Sequence, residues 1–411
     1  MSSRNNRIAT KFFLFTGSII CILFINNALQ AQIAVRGEIV HTSSGPAIND
    51  GVVLINVGKI EAVGPAAELE IPPNYRTYSG KVVTPGLIDA HSVVGLSGIY
   101  NQNHDQDQLD RTHAIQPELR ALDAYNPREQ LVTWLRNFGI TTLHTGHAPG
   151  ALINGRTLLV KTHGAVLQDA VIKPEAMMTF TLGKSIGHNF SSPGTRAKGI
   201  AMIRGELLKA QNYLQKMKSA DDKPDRDLRM EALGDVLERR IPALITANQV
   251  TEIMAALRLA DEFKFRLVLD GAAEAYLVID EIKAAGIPVI IHPTMVRNYG
   301  DTRNASFETA KQLQDAGILF AFQSGYESYV PKTRVILYEA AIAVANGLDP
   351  QDALSAMTIN PARILGIDDK VGSISPGKDA DLVLFDGDPF EYTTHVCTVI
   401  LDGTVVSDTC R

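Results

Sequence analysis

The sequence predicts an α/β protein, a (β/α)8 TIM barrel carrying a small composite β-sandwich built from both chain ends. Three observations predict it. The first is length, since 411 residues exceed one ordinary domain and leave room beside a barrel of about 250 residues. The second is a series of eight short apolar runs, most of them followed by an amphipathic stretch. The third is that both ends hold only short alternating runs broken by Gly, Asn and Pro, the pattern of small antiparallel strands.

In chain order, residues 1–31 read as a secretory signal peptide. Arg4, Arg7 and Lys11 precede the uncharged run FFLFTGSIICILFI, Phe12 to Ile25, and Ala31 is the expected cleavage point. As a helix that run is about 21 Å long, short of the roughly 30 Å of hydrocarbon that a spanning segment crosses. The mature chain is therefore expected to be exported, periplasmic or secreted, with no stable membrane span.

Residues 32–81 and 366–411 form the two expected halves of the β-sandwich, and 82–365 the barrel. The barrel strands are expected in VVTPGLIDAH, ITTLHTG, TLLVKT, AMMTFTLG, PALITA, FRLVLDG, IPVIIHP and ILFAFQSG. Stretches such as QVTEIMAALRLADEF and ETAKQLQDAG place apolar residues at helical spacing between them. The units around the third and fourth strands are the least regular. Near the C-terminus VCTVILDGTVVSD is a hairpin with Asp402-Gly403 at its turn.

Composition narrows the function classes. Hydrophobic residues make up 45% of the chain and charged residues 20%, the balance of a globular protein. A net charge of -6 argues against a nucleic-acid partner, which needs a basic face. No Gly-rich phosphate loop of the Walker type is present. A small-molecule ligand or substrate is the expected partner, with a homo-oligomer also open.

Four segments in order, GVVLINVGKIEAVG, VVTPGLIDAH, TINPARILGI and GSISPGKDADLVLFDGDP, resemble the amidohydrolase superfamily from about residue 33 to 409. Imidazolonepropionase-like and prolidase-like members are the most similar in character. The resemblance implies a metal-supporting barrel that hydrolyses amide or cyclic amide carbon-nitrogen bonds. It also implies ligands at the ends of several strands, and here the pattern departs. His91 matches the first histidine of strand 1, but Val93 stands where a second is expected. Thr246 and Asn248 occupy the strand 5 position, Gly271 that of strand 6, and Gly325 that of the strand 8 aspartate.

A divalent ion lowers the pKa of bound water and polarises a carbonyl, and it needs neutral imidazoles and carboxylates converging on it. The remaining candidates for such a set are His91, His144, His147 and His292, with Asp89 or Glu327 as the carboxylate. Lys184, near the end of strand 4, and Glu327 are the candidate proton-transfer groups. The expected complement is at most one divalent metal, zinc, or none. Three classes stay open: a hydrolase with a reorganised metal site, a catalytically inactive relative that binds a ligand, and a partner of another exported protein.

Two further features remain. The long segment after strand 1 carries Asp105, Asp107 and Asp110 and reads as a solvated loop covering the barrel mouth. Cys397 and Cys410 are the two cysteines left after signal cleavage. An ideal hairpin places Cys397 opposite Asp408 and leaves Cys410 a diagonal step away, about 7 to 8 Å between Cβ atoms, beyond disulfide reach. A bulge or frayed end that closes this gap is expected, because an exported chain meets oxidising conditions.

Overall fold

The structure is a computed structural model that describes residues 32–100, 102–219, 223–291, 300–326 and 335–411. The expected signal peptide, His292 and Glu327 lie outside the described residues. Among the described residues no helix is long and apolar enough to cross a membrane. The fold is mixed α/β.

Strands β1 (Ile33–Val40), β2 (Ile48–Asn56), β3 (Lys59–Pro65) and β4 (Arg76–Pro85) come from the first segment of the described chain. The middle contributes β5 (Leu87–Ser92), β6 (Ile140–Thr145), β7 (Ile153–Arg156), β8 (Leu158–Lys161), β9 (Val171–Lys173) and β10 (Met178–Thr181). It continues with β11 (Ala243–Ala247), β12 (Leu267–Gly271), β13 (Val289–Ile291) and β14 (Phe320–Phe322). The end supplies β15 (Leu382–Phe385), β16 (Val396–Leu401) and β17 (Thr404–Asp408).

Strands from both ends of the chain share one seven-stranded sheet, in the order β17-β16-β15-β4-β1-β2-β3. The joint is the antiparallel pairing of β15 with β4, Leu382 opposite Pro85 and Phe385 opposite Val82. Ile33, Val35, Val53, Ile55, Val83, Leu382, Leu384 and Ile400 pack into a single core on this sheet. The β16–β17 turn lies against the β2–β3 turn so closely that a Cβ on Gly403 would sit 2.7 Å from the Gly58 backbone. Only glycine fits there, and its φ of +70° suits a type I′ hairpin.

The middle strands form two sheets, β5-β6-β8-β9 and β14-β13-β12-β11-β10-β7. From β10 to β14 the neighbours are parallel, and helices such as Val250–Phe263 and Thr309–Ala316 lie between successive strands. A parallel bridge from Ser92 to Gly325 links the end of β5 to the residues after β14.

The third expected strand departs from the parallel pattern. Residues Leu158–Lys161 run antiparallel to β6, with Thr142 opposite Lys161 and Thr145 opposite Leu158. The reason lies in the connection: residues 146–157 join the two strands and contain β7 rather than a helix. A parallel return is usually carried by a helix, and none forms in this connection. β7 in turn pairs antiparallel with β10, so this one stretch of chain touches both middle sheets.

Cys397 and Cys410 are bridged, with Cα atoms 3.7 Å apart. A register shift between Val399 and Ile400 places Thr398, rather than Cys397, opposite Asp408. Arg411 then exchanges both backbone hydrogen bonds with Val396, and the two cysteines between these pairs face each other. The bulge removes the diagonal offset of the ideal hairpin.

Candidate active site

Alternation along a strand places every second residue on one face, and this rule locates the site. Ile88, Leu159, Met177, Leu244, Val268, Ile290 and Ala321 pack together in one apolar cluster, closed from below by Leu365, Ile367 and Val371. Two residues beyond Leu244, Val268 and Ala321 stand Thr246, Asp270 and Gln323. All three are buried and polar. The apolar layer therefore gives way to a polar one at the C-terminal ends of the strands, where catalytic groups of barrel enzymes gather.

Asp270 is the centre of that layer. Its Oδ1 accepts from Gln323 Nε2 at 2.7 Å and lies 3.0 Å from His91 Nδ1, while its Oδ2 accepts from Thr246 Oγ1 at 2.5 Å. Burial pushes this carboxyl up, but the His91 charge and hydrogen bond, with Thr246 and Gln323, outweigh it and hold the pKa below the ordinary value. His91 is 1% exposed and its Nε2 has no hydrogen-bond partner. The Tyr326 ring stands 5.9 Å from the His91 ring, centroid to centroid.

Asp89 belongs to the same strand end. Its Oδ1 accepts from the Ser324 backbone N–H at 3.0 Å and from that of His91 at 3.4 Å. Burial pushes this carboxyl up to about 6, outweighing the opposing hydrogen bonds from Ser324 and His91 and the His91 charge.

The remaining candidates fall in different places. His144 lies beside His91, with ring centroids 5.6 Å apart. Its Nδ1 is 2.6 Å from the Ala90 carbonyl and its Nε2 2.6 Å from Thr157 Oγ1. Both ring nitrogens are thus engaged, and this histidine ties β6 to the Ala90 carbonyl and to Thr157. Burial lowers its pKa to about 3, with the neighbouring His91 adding to the effect.

His147 sits in the loop after β6, as alternation predicts. It is 5% exposed, and neither ring nitrogen has a partner. Burial lowers its pKa to about 4, opposed by Asp110. The loop after β5 reaches this segment, because Ala148 N donates to the Gln108 carbonyl at 2.7 Å. Lys184 is exposed and precedes a single 3-10 turn, Ser185–His188; it stands outside the Asp270 network. Among the described residues no group of three or more His, Cys, Asp or Glu side chains is placed to hold a metal ion, the number of protein ligands that catalytic zinc sites use.

Reading the strand ends by motif alone missed Asp270 and Gln323. At strand 6 attention falls on Gly271, yet the inward side chain is that of Asp270, one residue earlier. At strand 8 it falls on Gly325 rather than Gln323. A signal was present: in LVLDG and FAFQSG a single polar residue closes an otherwise apolar strand, and a buried polar group there needs partners.

A family model described as Amidohydrolase family matches residues 329–407. Among similar proteins, amidohydrolase tasK of Hapsidospora irregularis is 24% identical over 396 residues, covering 87% of this chain. The match spans 40% of the length of that relative. The imidazolonepropionase of Solibacter usitatus is 23% identical over 377 residues, 85% of this chain and 87% of that protein. Among solved structures, an amidohydrolase from Thermotoga maritima superposes with a TM-score of 0.85 at 28% identity, covering 92% of this chain and 100% of its own. A putative prolidase from Bifidobacterium longum gives 0.60 at 18% identity, over 93% of this chain and 97% of its own, a likeness of fold.

Proposed function

The chain belongs to the amidohydrolase superfamily, and from that premise we propose that it hydrolyses carbon-nitrogen bonds other than peptide bonds, in a linear or cyclic amide of small size. The observation that carries this reading is the buried His91–Asp270 pair, whose imidazole keeps one ring nitrogen unpartnered. A purely structural core histidine has both nitrogens satisfied, as His144 does.

The reading includes a closed barrel of seven parallel strands and one antiparallel strand, with residues 32–81 and 366–411 as a separate β-domain. Its support is the apolar cluster that draws one residue from almost every strand region and the Ser92–Gly325 bridge between the first and last. It also includes export of the mature chain after removal of residues 1–31, and less than one tightly held divalent ion per chain.

A second reading, a catalytically inactive relative that binds a small molecule in the same place, is favoured by His144, whose two nitrogens are both spent inside the protein. One experiment separates the two. The purified mature chain is incubated with N-acetyl amino acids, glutarimide and hydantoin, and products are followed by mass spectrometry. Hydrolysis that disappears in His91→Ala supports the first reading. Ligand-induced stabilisation without product supports the second.

A further inference from the structure

We propose that His91 and Asp270 form a metal-independent base pair, in which Asp270 holds the imidazole in the tautomer that presents Nε2 as the proton acceptor. This deepens the proposed hydrolase and rests on it. Nothing in the superfamily pattern assigns Asp270 a role, since it stands one residue before the strand 6 position that the pattern marks.

Gln323 Nε2, just after β14, and Thr246 Oγ1, on β11, both donate to Asp270. Gln323 and His91 share Oδ1, and Thr246 takes Oδ2. A carboxylate receiving donors on both oxygens is an acceptor for the third contact also, so His91 Nδ1 carries the proton that faces it. In the neutral imidazole a proton on Nδ1 leaves the lone pair on Nε2. That atom is buried and unpartnered, whereas buried polar atoms in native proteins nearly always have a partner. It is therefore set to accept from a water molecule or from a substrate.

Asp270 is a positioning residue and His91 the catalytic one. The arrangement is the base-plus-orienter relation that recurs in hydrolases of unrelated fold. In the reaction, His91 Nε2 takes a proton from water as the water oxygen bonds to the carbonyl carbon of the amide. The carbonyl π electrons move to its oxygen. On collapse of this tetrahedral species the carbon-nitrogen bond breaks, and the proton on His91 passes to the departing nitrogen. The products are a carboxylic acid and an amine, and His91 returns to its starting tautomer.

The test uses the mature chain labelled with 15N-histidine and dialysed against dipicolinate. Nitrogen NMR, with His91→Gln to assign the signal, reads the ring directly. The expected spectrum has His91 protonated on Nδ1 and bare on Nε2; a ring protonated on Nε2 overturns the proposal without recourse to any other variant. The same dialysed protein is then assayed on the amide panel. Activity is expected to survive chelation, and Asp270→Asn, which keeps the shape of the side chain, is expected to lower kcat by about 10²–10⁴-fold with KM within about threefold. Activity lost on chelation and restored by zinc overturns the base pair while leaving the hydrolase standing. A wild-type chain inert on the whole panel, with and without zinc, removes the hydrolase reading and the base role together.

Discussion

Two buried polar clusters in this protein are built on opposite plans. At the strand ends, among the described residues, His91, Asp89 and Asp270 pair with no lysine or arginine, and His91 Nε2 and Asp89 Oδ2 have no hydrogen bond. At the other end, Lys161 Nζ, on β8, lies 2.6 Å from Asp381, 3.0 Å from Asp402 and 3.2 Å from Asp379. Lys59 adds a second contact to Asp379, and His163 Nε2 reaches Asp402 at 3.0 Å. This second cluster ties β8 to the sheet made by the chain ends.

The difference shows in two aspartates. Burial raises both, but at Asp402 the His163 hydrogen bond and Lys161 outweigh it and hold the carboxyl at about 2. At Asp89 nothing of that strength opposes burial, and the carboxyl stands at about 6. A cluster whose charges are matched serves as a clamp. One whose groups are left short of partners carries a cost that stability alone does not explain.

The largest expected effect breaks the clamp. Lys161→Met leaves Asp381, 5% exposed, without its cation, and loss of one partner from a buried pair costs about 3–5 kcal/mol. Urea unfolding of the variant against wild type measures it. A loss under about 1 kcal/mol would place Lys161 among ordinary surface ion pairs.

Next comes Asp89→Asn, with the opposite sign. The folded carboxyl is raised to about 6 from 3.8, so the folded state holds an extra proton between those values and wild-type stability falls as pH rises through that window. The asparagine variant should match wild type near pH 4 and exceed it near pH 7, by up to about 3 kcal/mol. At Asp402 the linkage runs the other way: its contribution is present above the unfolded pKa and is lost as pH falls toward 2. Stability measured from pH 3 to pH 8 reads both slopes.

The Cys397–Cys410 bridge closes the hairpin that carries Asp402, with a sequence separation of 13. Its reduction should cost at most about 3 kcal/mol in the chain-entropy account. Thiol titration of denatured residues 32–411, which leave out Cys21, should find no free thiol before reduction and two afterwards, and urea unfolding of the reduced protein then shows whether the clamp holds without its covalent edge.

The smallest effect is expected at the strand ends. Thr246→Val removes one of the three contacts to Asp270 while the other two remain, for a loss of about 1 kcal/mol. A loss several times larger would make the Asp270 cluster a structural clamp like the Lys161 cluster.

Much of this was legible in the residues. Alternation and turn chemistry marked the strands, Asp402-Gly403 marked the hairpin, and four motifs marked the superfamily. His91 stood out as the histidine that the pattern keeps. Asp270 did not, because a motif read by position looks for a histidine at residue 271 and passes over the inward carboxylate beside it. The reversal of β8 was hidden for a different reason: TLLVKT has the same apolar character whichever way it runs.

The sequence by itself determined what depends on neighbours along the chain: which segments are strands, which turns are tight, where polar residues close apolar runs. Tertiary structure decided what depends on partners far apart. Asp270 is 179 residues from His91, and Lys161 is 220 from Asp381. Burial and a hydrogen bond act over a few ångströms, so whether a histidine becomes a tie like His144 or keeps a free nitrogen like His91 is settled only when distant strands bring their side chains to it.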